Sequence, residues 1–237
     1  MTAQARLVGG TGYPAHVTRK HFWADPYART LDTRIATLDG AVLTVDATIF
    51  YAESGGQESD AGTIGGVRVV RAEKRDRDIV YTLEAAGPTP EAAASLRVGD
   101  AVTIAIDWER RYKLMRLHLA AELVLELVYR ALPGVEKSGA HISADKARID
   151  FAWPESIAPL LPALQRDAQA LIDADHPIIS AYSDEATERR YWEIAGFARV
   201  PCGGTHLRRT GEIGVLTLKR DNRGKGQQRI VITAAPH

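Results

Sequence analysis

Cys202-Gly-Gly-Thr-His206 contains the only cysteine of the 237-residue chain. A histidine follows four positions on, and the glycines at 203 and 204 let the backbone turn tightly between the two. Thiolate and imidazole are preferred zinc ligands, but a metal site needs more than two groups. The matching pair is His118 and Glu122, in Arg116-Leu-His-Leu-Ala-Ala-Glu-Leu123. Residues i and i+4 share one face of a helix about one turn apart, so both side chains can reach a single ion. The spacing points to a mixed N, O, S donor set of His118, Glu122, Cys202 and His206. Each member alone has an ordinary explanation, since an isolated cysteine is commonly a small buried hydrophobe.

Positioning these groups requires a helix in the middle of the chain. Trp108 to Leu132 contains neither glycine nor proline, Asp107 is a plausible N-cap, and Pro133-Gly134 is a stop signal. Leu117 to Val128 is apolar on nearly every side except at His118, Glu122 and Glu126, which is the pattern of a buried helix. Burying an imidazole and a carboxylate costs several kcal/mol unless each finds a partner. A metal would satisfy both; pairing of Glu122 with Arg116 or Arg148 is the alternative.

Before the helix, from Thr33 to Val70, short apolar runs are separated by Asp39-Gly40, Ser54-Gly55-Gly56 and Ile64-Gly65-Gly66. Ile79–Leu83 and Ala101–Ile106 continue the pattern of short antiparallel strands. Residues 1–18, rich in glycine, read as a flexible lead-in with order starting near His21, and 19–106 as a small β-barrel domain. Residues 107–237 read as an α+β domain. Ala147–Phe151, Ile178–Tyr182, Gly214–Lys219 and Arg229–Thr233 are its expected strands. Glu155–Ala174 is a helix whose start Pro159 and Pro162 delay, and Ser183–Ile194 a weaker helix. The fold class is α+β, without regular βαβ alternation.

Composition is that of an ordinary globular chain, 45% hydrophobic and 25% charged. A single cysteine excludes an internal disulfide framework, and the start lacks the blocks of a signal peptide. No run approaches about 18 apolar residues, so the expectation is a soluble, cytoplasmic protein that spans no membrane. Thirty basic residues balance thirty acidic ones, so nucleic-acid binding would have to come from local clusters.

Other motifs then join the donor set. Thr48-Ile-Phe-Tyr-Ala-Glu-Ser-Gly-Gly-Gln57, followed by Asp60 and Gly62, closely resembles the glycine-rich motif of alanyl-tRNA synthetase editing regions. The family's Arg-x-His-Thr-Ala-Thr-His-Leu helix corresponds to residues 116–123. Its small-residue turn and Leu-Arg-Phe-Asp-Phe strand correspond to Gly139-Ala140 and Arg148–Phe151, and Cys202–His206 is followed by Thr210-Gly-Glu-Ile-Gly214. Order and spacing agree over roughly residues 20–235. No aminoacylation domain fits in this length, so the chain resembles the free-standing alanyl-tRNA editing family, the AlaX type.

That resemblance implies a zinc-dependent hydrolase that deacylates tRNA for alanine mischarged with serine or glycine. It implies a β-barrel domain carrying the glycine-rich loop and a metal-binding domain like the second additional domain of the synthetases, with the active site between them. Gln57 would position water or the terminal ribose. Gly55, Gly56, Leu119, Gly203 and Thr205 would contact substrate, and mischarged tRNA would be the partner, with no obligate protein partner.

The chain departs from the family at two places. Glu122 replaces the second histidine, and either ligates the metal or acts as a general base. Leu119 replaces a threonine near the substrate amino acid, which opens the pocket to another aminoacyl-tRNA. A non-catalytic zinc-containing RNA-binding module is the reading from a different class. For RNA contact, Arg208, Arg209, Lys219, Arg220, Arg223, Lys225 and Arg229 outnumber Glu212 and Asp221 between 208 and 229. Arg110, Arg111, Lys113 and Arg116 form a second cluster beside the metal helix. Such runs contact phosphate or are solvated faces.

Overall fold

The computed structural model describes residues 17–84, 96–224 and 226–236. Most of the expected lead-in, 1–16, lies outside the described residues. Its last position is ordered: Thr18 is fully buried, and its amide and hydroxyl donate to Asp78 Oδ1 at 3.0 and 2.9 Å. Order thus precedes His21.

The first half consists of β1 (Arg19–Lys20), β2 (Thr30–Asp39), β3 (Val42–Val45), β4 (Ala47–Thr48), β5 (Gly62–Ile64), β6 (Val67–Arg75), β7 (Asp78–Leu83) and β8 (Ala101–Ile106). Their ladders run β2-β3-β7-β6-β5-β8 and return to β2. Period-two alternation builds this ring, because successive side chains point to opposite faces. Ile79, Tyr81 and Leu83 of β7 and Val102 and Ile104 of β8 turn inward, against Ile35, Leu43 and Ile64.

The second half begins with helix α1 (Trp108–Ala131), which matches the span expected from sequence. Asp107 caps it, accepting from the Arg110 amide at 3.1 Å. There follow β9 (Glu136–Ile142), β10 (Ala147–Ala152), α2 (Leu161–Asp173), β11 (Ile179–Asp184), β12 (Arg189–Ile194), β13 (Ala198–Pro201), β14 (Val215–Asn222) and β15 (Gln227–Ala235). One antiparallel sheet has the order β14-β15-β10-β9, a second β11-β12-β13. Helix α1 packs on β9, β10 and β15 with α2 alongside. Leu123 and Val124 share one buried core cluster with Ile149, Phe151, Ile230 and Ile232. The fold is α+β, with strands predominating.

One helix starts late, as its prolines require, and one expectation from sequence is corrected. The helix expected from Glu155 opens as a 3-10 turn over Ala158–Leu160 and becomes α-helical only at Leu161, because Pro159 and Pro162 fit only a first turn. The helix expected over Ser183–Ile194 is instead the hairpin β11–β12. Arg190, Trp192 and Ile194 are its inward residues, a period of two that the polar character of Arg190 hides.

The glycine-rich loop is fastened to both halves. Gly55 and Gly56 take φ of +61° and +89°, conformations open chiefly to glycine. At Gly56 a Cβ would also come within 2.7 Å of the Ala140 carbonyl oxygen. The loop bonds to β9, Ile142 N to Gly56 O at 2.7 Å and Glu58 N to Ile142 O at 3.0 Å. Arg111 of α1 closes it from below, with Nε donating to Asp60 Oδ1 at 2.8 Å and Nη2 to Asp60 Oδ2 and Ile49 O. Both side chains are fully buried, so Arg111 is a structural clasp and is withdrawn from the expected tRNA contacts.

Candidate metal centre

One face of α1 presents His118 and, one turn on, Glu122; the segment after β13 brings Cys202 and His206 up to it. One donor atom from each lies within 4.8 Å of all the others. His118 Nε2 is 3.2 Å from Cys202 Sγ and 3.3 Å from Glu122 Oε1, and His206 Nε2 is 3.3 Å from Glu122 Oε2. Ligands about 2.0–2.3 Å from a tetrahedral ion stand roughly 3.3–3.8 Å from one another. These three spacings are close to those edges.

Bonding within the cluster fits a metal better than it fits hydrogen bonds alone. Glu122 Oε2 and His206 Nε2 are close, but neither has an aligned hydrogen bond among the described residues. The alternative partners for Glu122 are engaged elsewhere: Arg116 donates to Ile213 O and Arg148 to Asp150. N, O and S donors in this proportion suit zinc or a similar borderline ion.

In the metal-free protein, charge takes over. Burial pushes the His206 pKa down, but the Cys202 sulfur and the Glu122 carboxylate outweigh burial and hold it up, at about 9. His118 is raised well above the usual value by Glu122 and Cys202, again against burial. Burial pushes the Glu122 carboxyl up, but the imidazoles prevail and hold it below the usual range; the Cys202 thiol is lowered too, against burial and Glu122. Two imidazolium rings thus balance a carboxylate and a thiolate.

The loop between Cys202 and His206 is built to receive a ring. A Cβ at Gly204 would lie 2.5 Å from His118 Cε1 and 2.8 Å from Nε2, both well inside van der Waals contact. Gly204→Ala is therefore expected to push the imidazole out of register and weaken metal binding by about 10- to 100-fold, the range typical of disturbing a ligand's support. Competition with a chromophoric chelator measures this, and a circular dichroism spectrum like the wild type's shows that the fold is kept. Trp23 Nε1 anchors the same loop through Gly203 O at 2.8 Å, and Ser180 Oγ lies 3.2 Å from His206 Nδ1, orienting that ring. Neither residue carries a sequence signal, since their partners are 180 and 26 positions away.

Beside the cluster is a cavity of about 370 Å³ to which His118, Glu122 and Cys202 contribute. Tyr51, Ser54 and Gly55 of the glycine-rich loop line its other side.

The family model described as "Threonyl and Alanyl tRNA synthetase second additional domain" matches residues 193–231. The alanyl-tRNA editing protein AlaX-M of Pyrococcus horikoshii is 35% identical over 227 residues, covering 91% of this chain and 97% of that protein. AlaX-M of Methanosarcina mazei is 30% identical, covering 90% and 95%. The chain belongs to the AlaX-M family of alanyl-tRNA editing proteins. It is also 32% identical to the alanine–tRNA ligase of Pyrobaculum calidifontis, where the match covers 93% of this chain but 27% of the ligase.

Other residues expected at an AlaX-type site fall in different places. Gly203 and Gly55 line the cavity. Gln57 is fully buried and is not part of that lining; its Nε2 donates to Thr205 Oγ1 at 3.1 Å. It therefore braces the turn between Cys202 and His206, while its Oε1 is buried without a partner among the described residues. Thr205, 1% exposed, serves the same brace, and Gly56 serves the loop's docking on β9. Leu119, fully buried, packs in the core cluster under α1, so its expected contact with substrate is corrected; Ala121 and Leu125 form the apolar wall instead.

Several of the expected tRNA contacts have partners within the protein. Arg208 stacks over Tyr27 at 4.3 Å, and Arg209 pairs with Asp175 at 2.5 Å. Arg220 donates to Gln228 Oε1 at 3.1 Å; Arg223 is 3.9 Å from Asp221, and Lys219 is exposed. Lys225 lies outside the described residues.

Proposed function

We propose that this chain is a cytoplasmic trans-editing hydrolase, releasing serine or glycine from mischarged tRNA for alanine, with zinc held by His118, Glu122, Cys202 and His206. The observation that carries this reading is the convergence of those donors within 4.8 Å beside a cavity walled by the glycine-rich loop. It is supported by relatives named for alanyl-tRNA editing. The closed ring of strands is read as the family's small β-barrel domain, 19–106, and residues 107–237 as its editing domain.

Bound zinc supplies an electrophile for the ester carbonyl or a water of lowered pKa. The chain's own groups do the rest. Glu122 sits between the imidazoles with one oxygen toward each, the placement of a ligand more than of a free base. Gln57 and Thr205 hold the loop that carries two donors, and Ser180 fixes the His206 ring. Arg208, Arg209, Lys219 and Arg223 are proposed to meet the tRNA backbone.

The apolar wall of Ala121, Leu125, Ile142 and Ile149 supports a second reading, in which the ester removed belongs to another aminoacyl-tRNA. Presenting the zinc-loaded protein with a panel of mischarged tRNAs decides between them. The expected result is loss of serine or glycine from tRNA for alanine, sparing the alanyl ester, with activity falling to background after chelation and returning with zinc. A loaded protein that cleaves no member of the panel would sink the hydrolase reading.

A further inference from the structure

Glu126 is the third polar residue of the buried stretch of α1, and neither the donor cluster nor the core uses it. It lies one turn beyond Glu122 and lines the same cavity. Among the described residues its carboxylate has no hydrogen bond or ion pair. Arg130, the next cation along that face, donates to Phe197 O and stacks over the Phe197 ring at 4.1 Å. Of the cavity's lysines, Lys20 is bonded to Glu188 at 2.8 and 3.0 Å. Lys74 and Lys137 line the cavity without coming within ion-pair distance of Glu126. Burial and the neighbouring Glu122 carboxylate push the Glu126 carboxyl up and Arg130 only partly offsets them, so a cation entering the cavity beside it would be stabilised there.

Resting on the editing reading, the geometry points to Glu126 as the receptor for the α-ammonium group of the aminoacyl ester. That group, when protonated, is the one cation every aminoacyl-tRNA carries next to its scissile bond. In an amino acid the nitrogen is about 2.5 Å from the carbonyl carbon. Adding a charge-assisted hydrogen bond of about 2.8 Å gives a reach of roughly 5 Å. The step from Glu122 to Glu126 along the helix is about 6 Å, four residues at 1.5 Å each. An ester carbonyl seated beside the donor cluster can therefore bring its amino group within reach of Glu126 on the same cavity wall. Such a site selects for a free amino terminus, so esters whose nitrogen is acylated, as in a growing peptide, are poor substrates.

The test compares wild type and Glu126→Gln, both zinc-loaded, on seryl-tRNA and on the α-hydroxyacyl ester made from it by deamination, which keeps the shape and removes the charge. Wild type is expected to prefer the amino ester by about 10- to 100-fold in kcat/KM, the worth of a hydrogen bond to a charged group. Glu126→Gln is expected to lose that preference while cleaving the hydroxy ester within about twofold of wild type. Equal slowing on both esters, or an unchanged preference, would overturn the assignment. A wild type that cleaves the amino ester without any preference would overturn it and leave the editing reading standing. Inertness toward both esters would remove the editing reading and the assignment together. Unfolding temperature and bound zinc, measured on the same samples, show whether the variant is folded and loaded.

Discussion

Cys202→Ala is expected to lower zinc affinity by about 100- to 1000-fold and turnover at limiting zinc by about a thousandfold, with tRNA binding within about twofold of wild type. A structural site of four donors binds zinc with about 10–16 kcal/mol, so one donor carries roughly a quarter of that. The thiolate also balances charge: with Glu122 it faces two imidazolium rings. Without it the free site carries an excess positive charge that opposes a divalent cation. The remaining N, N, O set can still take zinc, so excess metal is expected to restore part of the turnover. Colorimetric zinc competition, single-turnover deacylation and filter binding of tRNA give the three readouts. Full turnover with zinc absent from the variant would show that the cluster has no part in the reaction.

How much of this site is visible in the sequence depends on the distance over which each constraint acts. His118 and Glu122 could be read because a helix repeats every 3.6 residues, and Cys202 and His206 because two glycines separate them. Leu119 misleads because it is next to a donor in sequence yet about 100° away around the helix, which turns it into the core. Arg111 misleads for a different reason, since its partner Asp60 is 51 positions away in the glycine-rich loop. A charge count cannot separate such a clasp from an RNA contact. Arg190 hid the strand β12: it is buried, but as a cation lying over Tyr182 at 4.4 Å and Trp23 at 5.5 Å. A hydropathy pattern scores it as exposed. Gln57 was recognised by its motif, but its role depends on Thr205, 148 positions away, so the motif located the residue without revealing which way it faces.

Zinc affinity is expected to fall steeply with acid, by up to about a hundredfold per pH unit between pH 8 and 6. In the metal-free protein the His206 pKa is held up at about 9 and that of His118 well above the usual value, so protons on both rings compete with zinc in that window. Ligation requires neutral imidazole, so each zinc bound displaces two protons, and each displaced proton contributes a factor of ten per pH unit. The Glu122 carboxyl adds little, because it is held below its usual range. Stability of the metal-free fold has the opposite sign. Because His206 is raised in the folded state, its contribution is fully present below about pH 6.5 and is lost as the pH climbs through about 9. Raising the pH thus weakens the protonated cluster and strengthens the metallated one, and the two curves of unfolding temperature, with and without zinc, are expected to diverge from pH 6 to 9. Calorimetry in buffers of different ionisation enthalpy counts the protons directly: about two at pH 7 is the expected result, and none would mean that the imidazoles are already neutral and that the charge balance drawn for the empty cluster is wrong.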